Sequence, residues 1–281
     1  MDAAKISIVI PTYNRAKSLP IAIDSVISQN NTNWELIIVD DGSIDDTKEI
    51  VKGYLIDPRI RYYYQGNEGV SSARNVGVDI SNGLYVIFLD SDDYFYPNLL
   101  DCLNAIDVTT FDIICWKILK VQGAKKIIWK PQDLGGLYNN IKASFLAGSI
   151  CYNKEIFLKA GGFDPNMKFG ENYELGIRIS QLNHLKVGIM DEILMVYQIS
   201  LQRESSSLSN KLSSYIYQYR KHRNTYKNNK KAKAKMNYLL GYVFEKSNKR
   251  RAAVGQYLNS WTTNPFNLKP LIKVLYLKLF R

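Results

Sequence analysis

Short apolar runs alternate with helix-periodic segments through the first hundred residues of the chain. Few architectures accept that order: it predicts βαβ units wound into a mostly parallel sheet with helices on its faces. Residues 6–10 read as the first strand, stopped by Pro11, and 18–29 as a helix with Leu19, Ile23, Val26 and Ile27 at helical spacing. Residues 35–39 form the second strand, closed by Asp40-Asp41-Gly42-Ser43, where Ser43 is placed to cap a helix over 44–55. A short strand at 60–64, a loop at 66–69 and a helix at 71–80 lead to 85–89. That continuous apolar run predicts a central strand buried on both faces. Farther on, the pattern predicts helices at 98–105, 139–145 and 172–181 and strands at 112–119 and 125–129.

Charge divides the chain more sharply than composition does. From residue 201 onward there are 18 lysines and arginines against Glu204 and Glu245, a balance of +16, while residues 1–200 carry 19 against 24, a balance of −5. Helical patterns continue through the basic stretch at 212–227, 233–245, 251–258 and 268–280. The expected organisation is therefore an α/β domain over 1–200 and a basic helical extension over 201–281. Such an extension suits an anionic partner, a membrane surface or a nucleic acid; no nucleic-acid fold signature accompanies the charge.

No uninterrupted apolar run approaches the roughly 20 residues of a membrane span, the nearest being broken by Lys269, Lys273 and Lys278. Met1 runs almost directly into the first strand without a leader pattern, and Cys102, Cys115 and Cys151 form neither a disulfide framework nor a zinc motif. Both features point to a reducing, cytoplasmic setting.

Asp90-Ser91-Asp92-Asp93 ends the buried strand at 85–89. Three carboxylates crowded there need a compensating cation, and in an extended chain Asp90 and Asp92 would face the same side. The C-terminal edge of a parallel sheet is where α/β proteins bind ligands. A hard divalent cation, Mg²⁺ or Mn²⁺, completed by phosphate oxygens fits the cluster; a solvated acidic turn is the plainer alternative. Asp41, in a second acidic turn at the same edge, could accept the N3–H of uracil, or could simply belong to a strand-to-helix turn. Tyr13 could stack on a base, and Arg74 could meet a diphosphate or fix the acidic cluster.

The stretches 8–15 (Ile-Val-Ile-Pro-Thr-Tyr-Asn-Arg), 38–43 (Ile-Val-Asp-Asp-Gly-Ser), 67–75 (with Gly69 and Ala73-Arg74-Asn75) and 88–93 (Phe-Leu-Asp-Ser-Asp-Asp) resemble glycosyltransferase family 2 in order and spacing. The resemblance covers about residues 5–200. It implies a Rossmann-like GT-A fold and an inverting, metal-dependent hexosyl- or N-acetylhexosaminyltransferase of the Asp-x-Asp (DXD) type that uses a UDP-sugar. It implies donor-binding roles for Pro11, Thr12, Tyr13, Asp41, Asn67, Arg74 and Ser91, ribose contact for Asp90, and metal coordination by Asp92. It also implies a saccharide or lipid-linked acceptor met at the inner face of the cytoplasmic membrane, with polysaccharide or glycolipid biosynthesis as the setting.

The chain departs from the family where the catalytic base is expected. After Gly161-Gly162-Phe163 the family carries an acidic pair, whereas this chain has Glu171-Asn172, with Asn172 at the base position. A carboxamide cannot take the proton, leaving Glu171 or Glu174 as substitutes, or a non-catalytic nucleotide-sugar-binding protein acting as scaffold or partner subunit. Many relatives carry a histidine near Ser200; this chain does not. A nucleotidyltransferase would require a glycine-rich basic loop after the first strand, where none occurs.

Overall fold

The computed structural model describes residues 6–199 and 207–279, which form two compact units. The first takes in 6–134, 141–165 and 171–199; the second takes in 135–140, 166–170 and 207–279. Ser200 lies outside the described residues, as does Phe280 at the end of the last predicted helix.

The first unit opens with β1 (Ile6–Thr12), α1 (Leu19–Ile27), β2 (Trp34–Asp40), α2 (Thr47–Lys52), β3 (Ile60–Tyr64), α3 (Val70–Asp79) and β4 (Tyr85–Phe88). Next come β5 (Tyr94–Phe95), α4 (Leu99–Ala105), β6 (Ile113–Gln122), β7 (Lys125–Trp129), β8 (Gln132–Asp133) and β9 (Lys142–Ala143). It closes with β10 (Ile150–Asn153), α5 (Lys154–Lys159), α6 (Glu171–Ser180) and β11 (Val187–Gln198). The main sheet runs β3-β2-β1-β4-β10-β6-β11-β5, with β7 on β6. Strands β3, β2, β1 and β4 are mutually parallel, as are β6 and β11, while β10 lies antiparallel between β4 and β6.

Every residue of β1, β2 and β4 is buried, because helices cover both faces. Ile8, Ile10, Leu36, Ile38 and Ile87 cluster with Leu19, Ala22, Ile23 and Val26 of α1. Val9 and Val39, on the opposite face, meet α3 at Gly77, where a Cβ would overlap Val9 Cγ1. Burying each such aliphatic side chain contributes about 1.5–3 kcal/mol.

Several elements differ from expectation for visible reasons. β1 continues through Pro11 to Thr12. Val9 O accepts from Leu89 N, so Pro11, two residues on, turns its missing N–H to the same side, beyond the last β1–β4 pair at Phe88. Ser43 does not cap α2, whose N-cap is Asp46; its hydroxyl instead accepts from Asn14 N at 2.8 Å. The helix expected over 139–145 is absent: Asn139 and Asn140 take left-handed backbone (φ 50° and 57°), and Lys142–Ala143 pair as a strand. β10, α5 and most of β11 were not signalled by periodicity.

The second unit holds α7 (Leu208–Lys221), α8 (Arg223–Asn228), α9 (Lys230–Lys246), α10 (Arg250–Thr263) and α11 (Lys269–Leu279). Ser207 and Asn229 cap α7 and α9 by accepting from Asn210 N and Ala232 N. Tyr226, Met236 and Leu240 form one core with Leu212, Tyr215, Ile216 and Tyr219; Ala253, Tyr257 and Val274 form another with Tyr238, Phe244, Leu258 and Leu277. The loop at 166–170 is held to α7, where Ser214 Oγ accepts from Lys168 N and Phe169 N, each at 3.1 Å. No helix among the described residues is long and apolar enough to cross a membrane.

Candidate active site

Parallel strands end together, so β1, β2, β3 and β4 deliver Tyr13, Asp41, the 65–69 loop and Asp90 to one edge of the sheet. Two hydrogen-bonded groups form there. In the first, the Tyr13 loop and the Asp41 turn are laced by Asn14 N to Ser43 Oγ and Ile44 N to Asn14 Oδ1, both 2.8 Å. Asp41, 5% exposed, accepts from Gln65 Nε2, Glu68 N and Gly69 N, all at 2.8 Å. The Asp41 carboxylate thus fixes the loop that carries Asn67. Gly42 has φ 86°, and a Cβ on it would sit 3.0 Å from Asn67 N, so only glycine lets the two loops approach. Tyr13 is exposed, Pro11 is buried, and Thr12 Oγ1 is buried with no hydrogen-bond partner among the described residues. An orphaned hydroxyl at a sheet edge suits a ligand that completes it.

The second group centres on Arg74. This α3 side chain is 2% exposed and donates to Asp90 Oδ1 at 2.6 Å and to Glu171 Oε1 at 3.0 Å. Burial opposes its charge, but the two carboxylates outweigh burial and hold the guanidinium protonated, its pKa above the usual arginine value. Asn75, the next residue, clamps the glycine loop: its amide accepts from Phe163 N and donates to Phe163 O, both at 2.8 Å. Phe163 in turn packs with Phe88 and Phe157, ring centres 5.0 and 5.5 Å apart.

Beyond Leu89 the chain does not stay extended. Asp93 N donates to Asp90 O at 3.0 Å, and this turn brings one oxygen each of Asp90, Asp92 and Asp93 within 4.8 Å of one another. Ser91 is buried beside them, and Asp93 Oδ1 accepts from Gln198 N at the end of β11. Carboxylate oxygens at this spacing are the donor set that a hard divalent cation uses.

At the start of α6, Asn172 Nδ2 donates to the same Glu171 oxygen that Arg74 holds, at 3.2 Å. Neither bond uses Oε2 of Glu171. Glu174 is different: fully buried and forked by Arg178 at 2.7–3.1 Å, it belongs to the core of α6. The structure therefore brings Arg74, Asp90, Glu171 and Asn172 into one chain of hydrogen bonds and leaves Glu174 out of it. Asn75 is the residue that sequence reasoning passed over; its place beside Arg74, in Ala73-Arg74-Asn75, was the available signal.

The family model for glycosyl transferase family 2 matches residues 7–164. An uncharacterized glycosyltransferase of Rickettsia felis is 45% identical over 201 residues, covering 70% of this chain and 33% of that protein. The uncharacterized glycosyltransferase EpsJ of Bacillus subtilis is 29% identical, covering 69% of this chain and 60% of that protein. The chain spans a third or so of the length of the Rickettsia felis and Rickettsia conorii relatives. Among solved structures, S. aureus TarS 1-349 in complex with UDP-GlcNAc has a TM-score of 0.63 and 21% identity, over 94% of this chain and 76% of that one. Mannosyltransferase PcManGT from Pyrobaculum calidifontis, in complex with GDP-Man and Mn²⁺, has a TM-score of 0.62 and 15% identity, over 99% and 81%. At these identities the structural likeness is one of fold.

Proposed function

The chain belongs to glycosyltransferase family 2 and has the GT-A fold, and from that premise we propose that it transfers a sugar, with inversion, from a UDP-sugar to a hydroxyl of a saccharide or lipid-linked saccharide. The observation that carries this is the convergence of Asp90, Asp92 and Asp93 beside Arg74 at the edge that also presents Tyr13 and Asp41. Tyr13 stacks on the base, Asp41 and the Asn67 loop bound the nucleoside, and Asp90 takes the ribose. Asp92 holds Mn²⁺ or Mg²⁺, which when bound offsets the charge of the diphosphate.

Inversion requires the acceptor oxygen to attack the anomeric carbon as the bond to the diphosphate breaks, the bonding pair leaving with the diphosphate and the hydroxyl proton going to a base. Glu171 Oε2 is the carboxylate oxygen available for that proton, with Arg74 and Asn172 orienting the group through Oε1. Asn172 keeps the shape of an aspartate but not its basicity. A donor screen by calorimetry with Mn²⁺, followed by transfer assays, tests the assignment. UDP-sugars should bind in the presence of metal, Glu171→Gln should lower kcat with little change in donor affinity, and Asn172→Asp should raise it. Turnover unaffected by Glu171→Gln would remove Glu171 from the mechanism, and failure of every nucleotide to bind would remove the transferase reading.

The same proposal puts the C-terminal region against an anionic membrane surface. The support is α11: Leu268, Ile272, Leu275 and Leu279 recur at helical spacing and are 50–73% exposed, next to Phe266 at 98%. Lys269 and Lys278 fall on the two borders of that stripe, while Lys273 is turned inward to Glu245 at 2.9 Å. An apolar stripe edged by lysines is the pattern of a helix lying in a lipid interface.

A further inference from the structure

Helices α7, α9 and α10 leave a groove of about 590 Å³ within the second unit. Its floor is apolar, made by Ile216 of α7 and Leu240 of α9, with the Tyr219 ring beside them. Arg220 and Lys233 line it from α7 and α9. Among the described residues no carboxylate pairs with either cation: Glu245 is the one described acid of this unit, and it is engaged by Tyr257 and Lys273.

Asn237 provides a second, independent sign. It lines the groove at 6% exposure, and among the described residues its side-chain amide has no hydrogen-bond partner. With the rest of the side chain buried, this amide opens onto the groove, where it can both donate to and accept from a ligand. On the α10 side, Thr262 and Thr263 spend their hydroxyl protons on the carbonyls of Leu258 and Asn259, which leaves both oxygens as acceptors. Gln256 and Asn259 add amides that can donate and accept.

We infer that this groove is a binding site for an anionic saccharide, one bearing a carboxylate or phosphate. The two cations take the acidic group, and the amides and threonine oxygens meet ring hydroxyls, which need donors and acceptors alike. The apolar floor takes a C–H face of the sugar. RNA would call for several stacking rings, and the groove has one tyrosine. The assignment does not depend on sugar transfer, since the groove residues are separate from Tyr13, Arg74 and the aspartates.

The test titrates the full chain, with and without UDP and Mn²⁺, using trigalacturonate, neutral galactotriose, inorganic phosphate and a short single-stranded RNA, read by calorimetry. Trigalacturonate should bind in preference to the other three, undisplaced by UDP. Its affinity should fall at least tenfold in the double variant Arg220→Gln, Lys233→Gln, and several-fold in Asn237→Leu at unchanged circular dichroism and Tm. The inference is overturned if trigalacturonate fails to bind, if UDP displaces it, or if the double variant binds it equally well. It is equally overturned if galactotriose, phosphate or RNA binds as tightly as trigalacturonate. UDP binding in the same experiment reports on the donor site independently, so the two assignments fail separately.

Discussion

Two buried charged residues show how differently such a group can be used in one domain. Arg74 holds Asp90 and Glu171 apart from each other by standing between them. Arg74→Met leaves both carboxylates beside a buried apolar side chain, and chemical denaturation should register a loss of about 3–5 kcal/mol, the usual cost of breaking a buried pair from one side. Arg74→Lys should recover part of that stability but not donor binding, because a compact ammonium lacks the rigid planar fork whose two separate nitrogens reach Asp90 and Glu171. Glu35, far along β2 from the site, is a structural anchor. Burial by itself would raise its pKa, but hydrogen bonds from Ser7, Asn82 and Gly83 and the charge of Arg61 outweigh burial and hold it below the usual glutamate value of 4.5. A depressed folded-state pKa contributes stability that is complete above the unfolded value and disappears as pH falls through the folded one. Urea titrations should therefore show Glu35→Gln clearly less stable than the parent at about pH 7, with the gap closing below about pH 4.5. A gap that stays constant over that range would contradict the assignment.

Helix α3 carries both Arg74 and Asn75, so its seating on the sheet sets the site. Gly77 makes that seating close: a Cβ there would overlap Val9 Cγ1 and lie 3.3 Å from Val39 Cγ2. Gly77→Ala should lower stability by about 1–3 kcal/mol through overpacking, and donor affinity should fall with it although the added methyl meets Val9 and Val39 of the sheet; differential scanning calorimetry with donor titration checks both. Strands β1, β2 and β4 were legible in the sequence as continuous apolar runs bounded by turn residues, and α1 by its helical spacing. Less legible were β10, four residues without alternation, and α5, a helix of six. Both are fixed by neighbours distant in the chain, β10 by Ile87 and Ile114 pairing with Cys151 and α5 by Lys154, which donates to Leu84 O and Ser81 O. The acidic ends of the strands, and Tyr13 and Asp41 beside them, could be read from local motifs. Local spacing could not reveal that Arg74 reaches Glu171, 97 positions away, or that Glu174 is consumed by Arg178.

At the scale of the whole chain, charge is partitioned between a mildly acidic α/β unit and a helical unit with a single described acid. Binding to vesicles containing anionic lipid should weaken steeply as salt rises above about 0.15 M, where the screening length is about 8 Å. It should drop at least tenfold in Ile272→Glu, Leu275→Glu, two exposed positions of α11. Equal binding to neutral vesicles, or indifference to the double variant, would argue against an interfacial helix. The sheet order has a consequence for how such a chain comes into being. Strand β4, which delivers Asp90, is flanked on its outer side by β10, and β10 is built from residues 150–153. During synthesis the first four strands emerge well before their partner does, exposing an apolar strand with unpaired backbone groups. The acidic cluster therefore matures late, and a ribosome stalled between β4 and β10 holds a nascent chain primed to stick to its neighbours.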